Sequence, residues 1–175
     1  MDLAKTGAVV TGGSGTIGRA VVEELARAGT DVTIAYHTDE DGAQAAAEAA
    51  RERGVRAQAV RCEVTDPAQG VALVESAAEF ADLGIVVHCA GITELQPVED
   101  VEAGSLSRSF AVDVEGAINV AGPAVASMRE QRSDCAHAGA IIAISSVAAL
   151  AGTVSIPYAA AKGGLLGAMR ALARE

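Results

Sequence analysis

Aromatic residues are nearly missing from this chain: two Phe, two Tyr and no Trp in 175 residues. Half of the composition is hydrophobic, so the core must be packed from Ala, Val, Leu and Ile rather than from large rings. Basic residues are outnumbered 13 to 23, for a formal net charge of −10. That balance argues against nucleic acid or an anionic membrane as partner, because both reward a basic surface. It also means that a phosphate-bearing ligand must be held by local donors against an unfavourable overall field. Cysteine is scarce and odd in number. Cys62, Cys89 and Cys135 are widely spaced, which suits reduced thiols in a cytoplasmic protein rather than a disulfide framework. Neither these thiols nor the three scattered His fall in a metal-ligand spacing, so no metal is expected. No apolar run is long enough to span a membrane, Met1 to Lys5 has no signal-peptide anatomy, and no Pro/Ser-rich linker or repeat divides the chain. A single domain with a sizeable core is expected.

What is present is an alternation of short apolar runs with longer amphipathic ones. Strands are predicted at 8–11, 31–36, 56–62, 85–89 and 140–145. Helices are predicted at 16–28, 39–53, 67–80, within 98–110, at 111–132 and at 156–174. This order reads as βαβ units, hence an α/β protein with a doubly wound, Rossmann-type parallel sheet of five strands covered by helices on both faces. Ligands in such sheets sit at the carboxyl ends of the strands, where Gly12, His37, Glu63, Gly91 and Ser146 all fall.

Three stretches carry chemistry. Tyr158 and Lys162 stand four residues apart on a predicted helix, so both side chains project from one face. A phenol alone is a poor acid–base group at neutrality, and an ammonium held beside it favours the phenolate. Pro157 suits the start of that helix, whose positive dipole end acts in the same direction. Taken alone, the pair reads better as two chance neighbours on a helix surface. Near the amino terminus, the run Gly7–Val10 leads into Thr11-Gly12-Gly13-Ser14-Gly15-Thr16-Ile17-Gly18 and then a helical stretch. Strand, glycine turn and helix is the context in which a backbone approaches a pyrophosphate and seats it on exposed helix N–H groups. Ser145 and Ser146 end the fifth apolar run, where a hydroxyl could reach a group at the start of the next helix.

In this order the glycine turn, the serines and the Tyr–Lys pair resemble the short-chain dehydrogenase/reductase family, across essentially the whole chain. His88-Cys89-Ala90-Gly91, Glu63-Val64 and Ala159-Ala160-Ala161-Lys162-Gly163-Gly164 extend the likeness, and the pattern is nearest to 3-oxoacyl-thioester reductases. The resemblance implies an NAD(P)-dependent oxidoreductase moving hydride between a nicotinamide and a carbonyl or alcohol substrate, possibly an acyl thioester. A homo-oligomeric assembly is also implied for a full-length member. Gly12, Ser14, Gly15, Thr16, Ile17 and Gly18 would cradle the pyrophosphate. Glu63 and Val64 would meet the adenine, and Ala90 and Gly91 would lie against the cofactor. Ser146 would orient the carbonyl oxygen and Tyr158 would donate the proton. Lys162 would bond the nicotinamide ribose, so Tyr158 and Lys162 serve both catalysis and cofactor binding. Ser146 keeps the run that follows the family's serine, while counting back from Tyr158 selects Ser145; both registers stay open. Cofactor choice is set after the second strand, where no acid stands at the strand end and His37 with Thr38 could receive a 2′-phosphate. NADP(H) is expected, with NAD kept open by Asp39.

The chain also departs from the family pattern. Thr16 stands where a glycine is usual, so the Gly12/Gly15/Gly18 spacing leans toward the extended, epimerase-like branch. Cys89 replaces an asparagine that knits the central strands, and reads as a packing residue rather than a nucleophile. Asp113 replaces the asparagine of the family's N-x-x-G segment, here Asp113-Val114-Glu115-Gly116. Members of the family normally continue through two further strands and a substrate-capping segment, so a truncated chain, or completion by another chain, is expected. Little activity is expected of these 175 residues by themselves. A nucleotide-sugar epimerase or dehydratase and a non-catalytic dinucleotide-binding scaffold are the alternative functions.

Overall fold

The computed structural model describes residues 2–94, 96–131, 139–151 and 155–174. Five parallel strands form one sheet in the order β3-β2-β1-β4-β5: β1 (Gly7–Thr11), β2 (Asp31–Tyr36), β3 (Ala57–Arg61), β4 (Leu83–His88) and β5 (Ala140–Ala143). The connecting helices are α1 (Thr16–Arg27), α2 (Glu40–Arg51), α3 (Pro67–Phe80), α4 (Ser105–Phe110), α5 (Gly116–Gln131), α6 (Ala148–Ala151) and α7 (Ile156–Leu172). This is the expected Rossmann-type architecture. Strand order reverses at β1, which pairs with β2 on one side and β4 on the other, so Thr11 stands level with both Ala35 and His88. That reversal opens a crevice at the carboxyl ends of the strands.

The pleat of each strand divides the core between the two faces. Ala8 and Val10 of β1 pack with Val22 and Ala26 of α1 and with Ala43, Ala47 and Ala50 of α2. Val9, pointing the other way, packs with Leu73, Val74 and Ala77 of α3 and Val120, Ala124 and Met128 of α5. Alternation with period two on both faces is why the strands read as continuous apolar runs. The scarcity of rings is met as expected, since the largest wholly buried side chains are Ile34, Leu73, Leu83, Leu165 and His88.

Local chemistry sets the helix starts. Asp39 caps α2 by accepting from Gly42 N–H at 3.0 Å. Asp66 caps α3 ahead of Pro67, and Ser155 caps α7 ahead of Pro157 by accepting from Tyr158 N–H at 3.2 Å. Pro123 inside α5 removes the hydrogen bond to the Asn119 carbonyl. Gly70 of α3 packs on that carbonyl, where a β-carbon would come within 2.5 Å.

Element boundaries fall within about two residues of the sequence reading for most elements. The segment expected as one helix within 98–110 followed by another at 111–132 differs more. A 3-10 turn occupies Val98–Asp100, α4 begins only at Ser105, and a π turn over Ala111–Glu115 joins α4 to α5. A 3-10 turn at Leu3–Lys5 and the short α6 were not anticipated. Among the described residues, no helix is long and apolar enough to cross a membrane.

Candidate active site

The glycine turn shows why each glycine stands where it does. Gly12 has φ +62°, and a β-carbon there would press on Ala90 N at 2.8 Å, so the turn and the β4 exit touch backbone to backbone. A β-carbon on Gly18 would collide with the Gly12 carbonyl oxygen and lie 2.7 Å from Gly13 Cα, which locks α1 against the turn. Gly15, by contrast, faces open space except for the Gly12 carbonyl at 3.3 Å. Gly15 is also the N-cap of α1 and offers no side-chain bond, so the amides of the first turn, from Thr16 through Ile17 to Gly18, are left to an incoming anion. These residues fit a dinucleotide pyrophosphate: one glycine for the turn, one for approach and one for packing.

A cleft of about 480 Å³ runs from this turn along the strand ends. Gly12, Ser14 and Gly15 form one wall, His37, Glu63 and Val64 the far end, and Ala90 and Gly91 the near side. His37 Nε2 lies 3.0 Å from Glu63 Oε2, and Glu63 Oε1 accepts from Thr65 N–H at 3.1 Å. The two residues read as separate cofactor contacts therefore hold each other. Asp39 also lines the cleft, but its carboxylate caps α2 and faces Arg19 at 3.6 Å.

Beyond Gly91 lies a buried charge centre. Lys162 Nζ sits 2.6 Å from Asp113 Oδ1 and donates to the Ile144 carbonyl at 2.9 Å, with the two side chains 5% and 0% exposed. Asp113 Oδ2 accepts from Ile92 N–H at 3.3 Å. Gly91 is pressed against the pair, since a β-carbon there would lie 2.7 Å from Asp113 Oδ1 and 3.1 Å from Lys162 Nζ. Asp113 reaches this position from the π turn, whose wider coil shifts side-chain register locally. One turn back along α7, the Tyr158 ring has its centroid 5.7 Å from Lys162 Nζ.

The two serines face different partners. Ser145 Oγ donates to the Lys162 carbonyl at 3.1 Å and lines an apolar groove between β5 and α7. Ser146 Oγ accepts from Ala148 N–H at 3.1 Å, capping α6, and its neighbour Val147 is 67% exposed. Ser146, Tyr158 and Lys162 do not line the glycine cleft. Lys162 adjoins it at Gly91, where a β-carbon would lie 3.1 Å from Nζ. Thr153, within the loop over which the serine register must be absorbed, and Cys135 lie outside the described residues.

Sequence reasoning missed Thr11 and Arg19. Thr11 Oγ1 accepts from Ala90 N–H at 3.3 Å and shares a hydrogen bond with His88 Nδ1 at 2.9 Å. Burial, and then the Lys162 ammonium, push His88 down to about 4. Thr11 and His88 thus tie β1 to β4, the task expected of an asparagine at Cys89. Burial pushes the half-buried Cys89 thiol up to about 11, in keeping with packing rather than nucleophilic work. The signal for Thr11 was its level position opposite His88, which appears only once the strands are paired.

The profile of the family described as short chain dehydrogenase matches residues 6–175. The chain belongs to the short-chain dehydrogenase family. It is 31% identical over 170 residues to the 3-oxoacyl-[acyl-carrier-protein] reductase FabG of Staphylococcus aureus, covering 96% of this chain and 67% of that one. To the L-rhamnose 1-dehydrogenase (NADP(+)) of Thermoplasma acidophilum it is 30% identical over 175 residues, covering 99% and 67%. An uncharacterized oxidoreductase of Methylorubrum extorquens is 34% identical over 166 residues, and the chain spans 63% of its length. Among solved structures, a short-chain dehydrogenase/reductase from Serratia marcescens superposes with a TM-score of 0.86 at 30% identity, over 99% of this chain and 69% of that one. The short-chain dehydrogenases are oxidoreductases, so the chain belongs to an oxidoreductase family, and it spans about two thirds of these relatives' length.

Proposed function

We propose that this chain carries the nucleotide-binding and proton-handling parts of an NADP(H)-dependent reductase acting on a ketone or 3-oxoacyl thioester. The observation that carries the reading is the buried ammonium of Lys162, fixed by Asp113 and Ile144 one turn from Tyr158 and against Gly91 of the glycine cleft. A bound nicotinamide supplies the hydride; the protein positions the partners and manages the proton. Tyr158 gives its hydroxyl proton to the carbonyl oxygen as that oxygen gains charge. Lys162 supports the phenolate left behind and offers its remaining N–H to the ribose. Asp113 acts through Lys162, as a positioning residue. Ser146 orients the carbonyl oxygen; Ser145 is the weaker choice because its hydroxyl is spent on the Lys162 carbonyl.

Two further observations favour this reading. Among the described residues, exposed apolar side chains near Ser146 and Tyr158 in the chain include Val147 at 67%, Leu150 at 82% and Ile156 at 54%. They suit an acyl or ketone substrate better than a sugar. The named relatives are reductases and dehydrogenases, which favours hydride transfer over the epimerase alternative. The test is Tyr158→Phe in the whole protein, assayed by loss of NADPH absorbance with a panel of ketones, 3-oxoacyl thioesters and sugars. Turnover should fall ~10²–10⁴-fold while nucleotide affinity stays nearly intact, because the ring is kept and the proton donor is lost. Undiminished turnover would end this mechanism. A preference for sugars would redirect the substrate class.

A further inference from the structure

Cofactor choice turns on what meets the 2′ position of the adenosine ribose. Asp39 is the acid nearest the end of β2, yet its carboxylate has other work. Oδ1 accepts from Gly42 N–H at 3.0 Å as the cap of α2, and Oδ2 faces Arg19 Nη2 at 3.6 Å. His37 is likewise held, by Glu63 at its ring, and by Arg61 Nε donating to its carbonyl at 3.3 Å. Arg19 differs from both. It stands on the first turn of α1, and its Nε donates to the Ser14 carbonyl at 2.7 Å. Its guanidinium therefore bridges from the glycine turn to the start of α2, along the rim where Ser14, Thr38 and Asp39 line the cleft. Of five guanidinium N–H groups, one is spent on Ser14 and one faces Asp39, which leaves three.

We propose that Arg19 is the residue that distinguishes a 2′-phosphorylated adenosine ribose from a plain one, and that Asp39 is the resting partner of Arg19, displaced by the phosphate, rather than a ligand of the ribose. This rests on the dinucleotide reading of the cleft. The planar guanidinium suits a phosphate, which it bonds through two parallel N–H groups, and the long contact to Asp39 is readily exchanged for a dianion. Asp39 does not forbid the phosphate, because its charge is opposed by Arg19 itself.

Calorimetric titration of the whole protein with 2′,5′-ADP and with 5′-AMP tests the assignment without any turnover. The unmutated protein should bind 2′,5′-ADP more tightly. Arg19→Ala should weaken 2′,5′-ADP about tenfold or more, the loss expected of a charge-assisted bond, and leave 5′-AMP within about twofold. Asp39→Asn keeps a capping side chain but removes the competing charge, so 2′,5′-ADP should bind severalfold tighter with 5′-AMP unchanged. Equal weakening of both nucleotides by Arg19→Ala would overturn the proposal, showing that Arg19 only shapes the turn through Ser14. No change in either, or a loss of 5′-AMP binding in Asp39→Asn, would overturn it as well. If the unmutated protein binds neither nucleotide, the dinucleotide reading of the cleft falls, and this inference with it.

Discussion

Replacing Asp113 by alanine should cost the fold about 3–5 kcal/mol, the penalty for leaving one member of a buried ion pair without its partner. Among the described residues Lys162 meets two oxygens, Asp113 Oδ1 at 2.6 Å and the Ile144 carbonyl at 2.9 Å. With its side chain 5% exposed, water does not replace the lost carboxylate. The same substitution removes the acceptor of Ile92 N–H and opens a void under Gly91, so the effects add in one direction. Against a total stability of about 5–15 kcal/mol for a domain, this is a large share. Asp113→Asn keeps an oxygen toward Lys162 and should cost less, about 1–3 kcal/mol. Replacing both partners, as Asp113→Leu with Lys162→Met, should fall nearer the unmutated protein than either single change, since no charge is left stranded. Urea denaturation at neutral pH followed by far-UV circular dichroism measures all three, there being no tryptophan to report by fluorescence. If Asp113→Ala lies within about 0.5 kcal/mol of the unmutated protein, the typical effect of a surface change, then Lys162 is not buried as described.

Two other outcomes follow from the geometry. His88 is held neutral, pushed down to about 4, whereas an unfolded chain takes up the proton near pH ~6.5. Between those values only the unfolded state binds it, so stability should be lost as pH falls from about 6.5 toward 4, by about 3 kcal/mol in all. Urea midpoints at pH 7 and 5 should differ more for the unmutated protein than for His88→Asn; parallel losses would exclude this origin. Glycines should divide by what surrounds them. Gly18→Ala meets immovable backbone at Gly12 and Gly13 and should cost at least ~1–3 kcal/mol and weaken nucleotide binding. Gly167→Ala, with nothing within 4 Å inside α7, should stabilise by about 0.5–1 kcal/mol in thermal melts.

Much of this was legible before any coordinates. Strands such as Asp31–Tyr36 and helices such as Pro67–Phe80 announce themselves because pleat and helix repeat at periods that the apolar residues record. The π turn at Ala111–Glu115 does not. A shift of one hydrogen-bond register leaves no mark in composition and is fixed by what the turn packs against, here Lys162 and the segment after β4. The Tyr158–Lys162 spacing was readable because a single helix turn sets it. Asp113, by contrast, had to be read as an odd occupant of an asparagine position, because its partner lies on a distant helix. For the same reason His37 and Glu63 read as two independent contacts until the ends of β2 and β3 were placed side by side.

The acidity of the chain looks like an obstacle to any phosphate-bearing ligand, yet acids nearest the cleft are opposed locally. Three acids at the cleft or beyond Gly91 face basic side chains: Asp39 faces Arg19, Glu63 faces His37, and Asp113 faces Lys162. Asp39 and Asp113 are thereby opposed by full positive charges, whatever the formal charge of −10 distributed over the rest of the surface. At the glycine turn itself, attraction for a pyrophosphate would come from groups that carry no formal charge, the amides of the uncapped first turn of α1 behind Gly15. An ordinary side-chain cap at Gly15 would satisfy those amides and close the approach together, so a residue with no side chain is what the position requires.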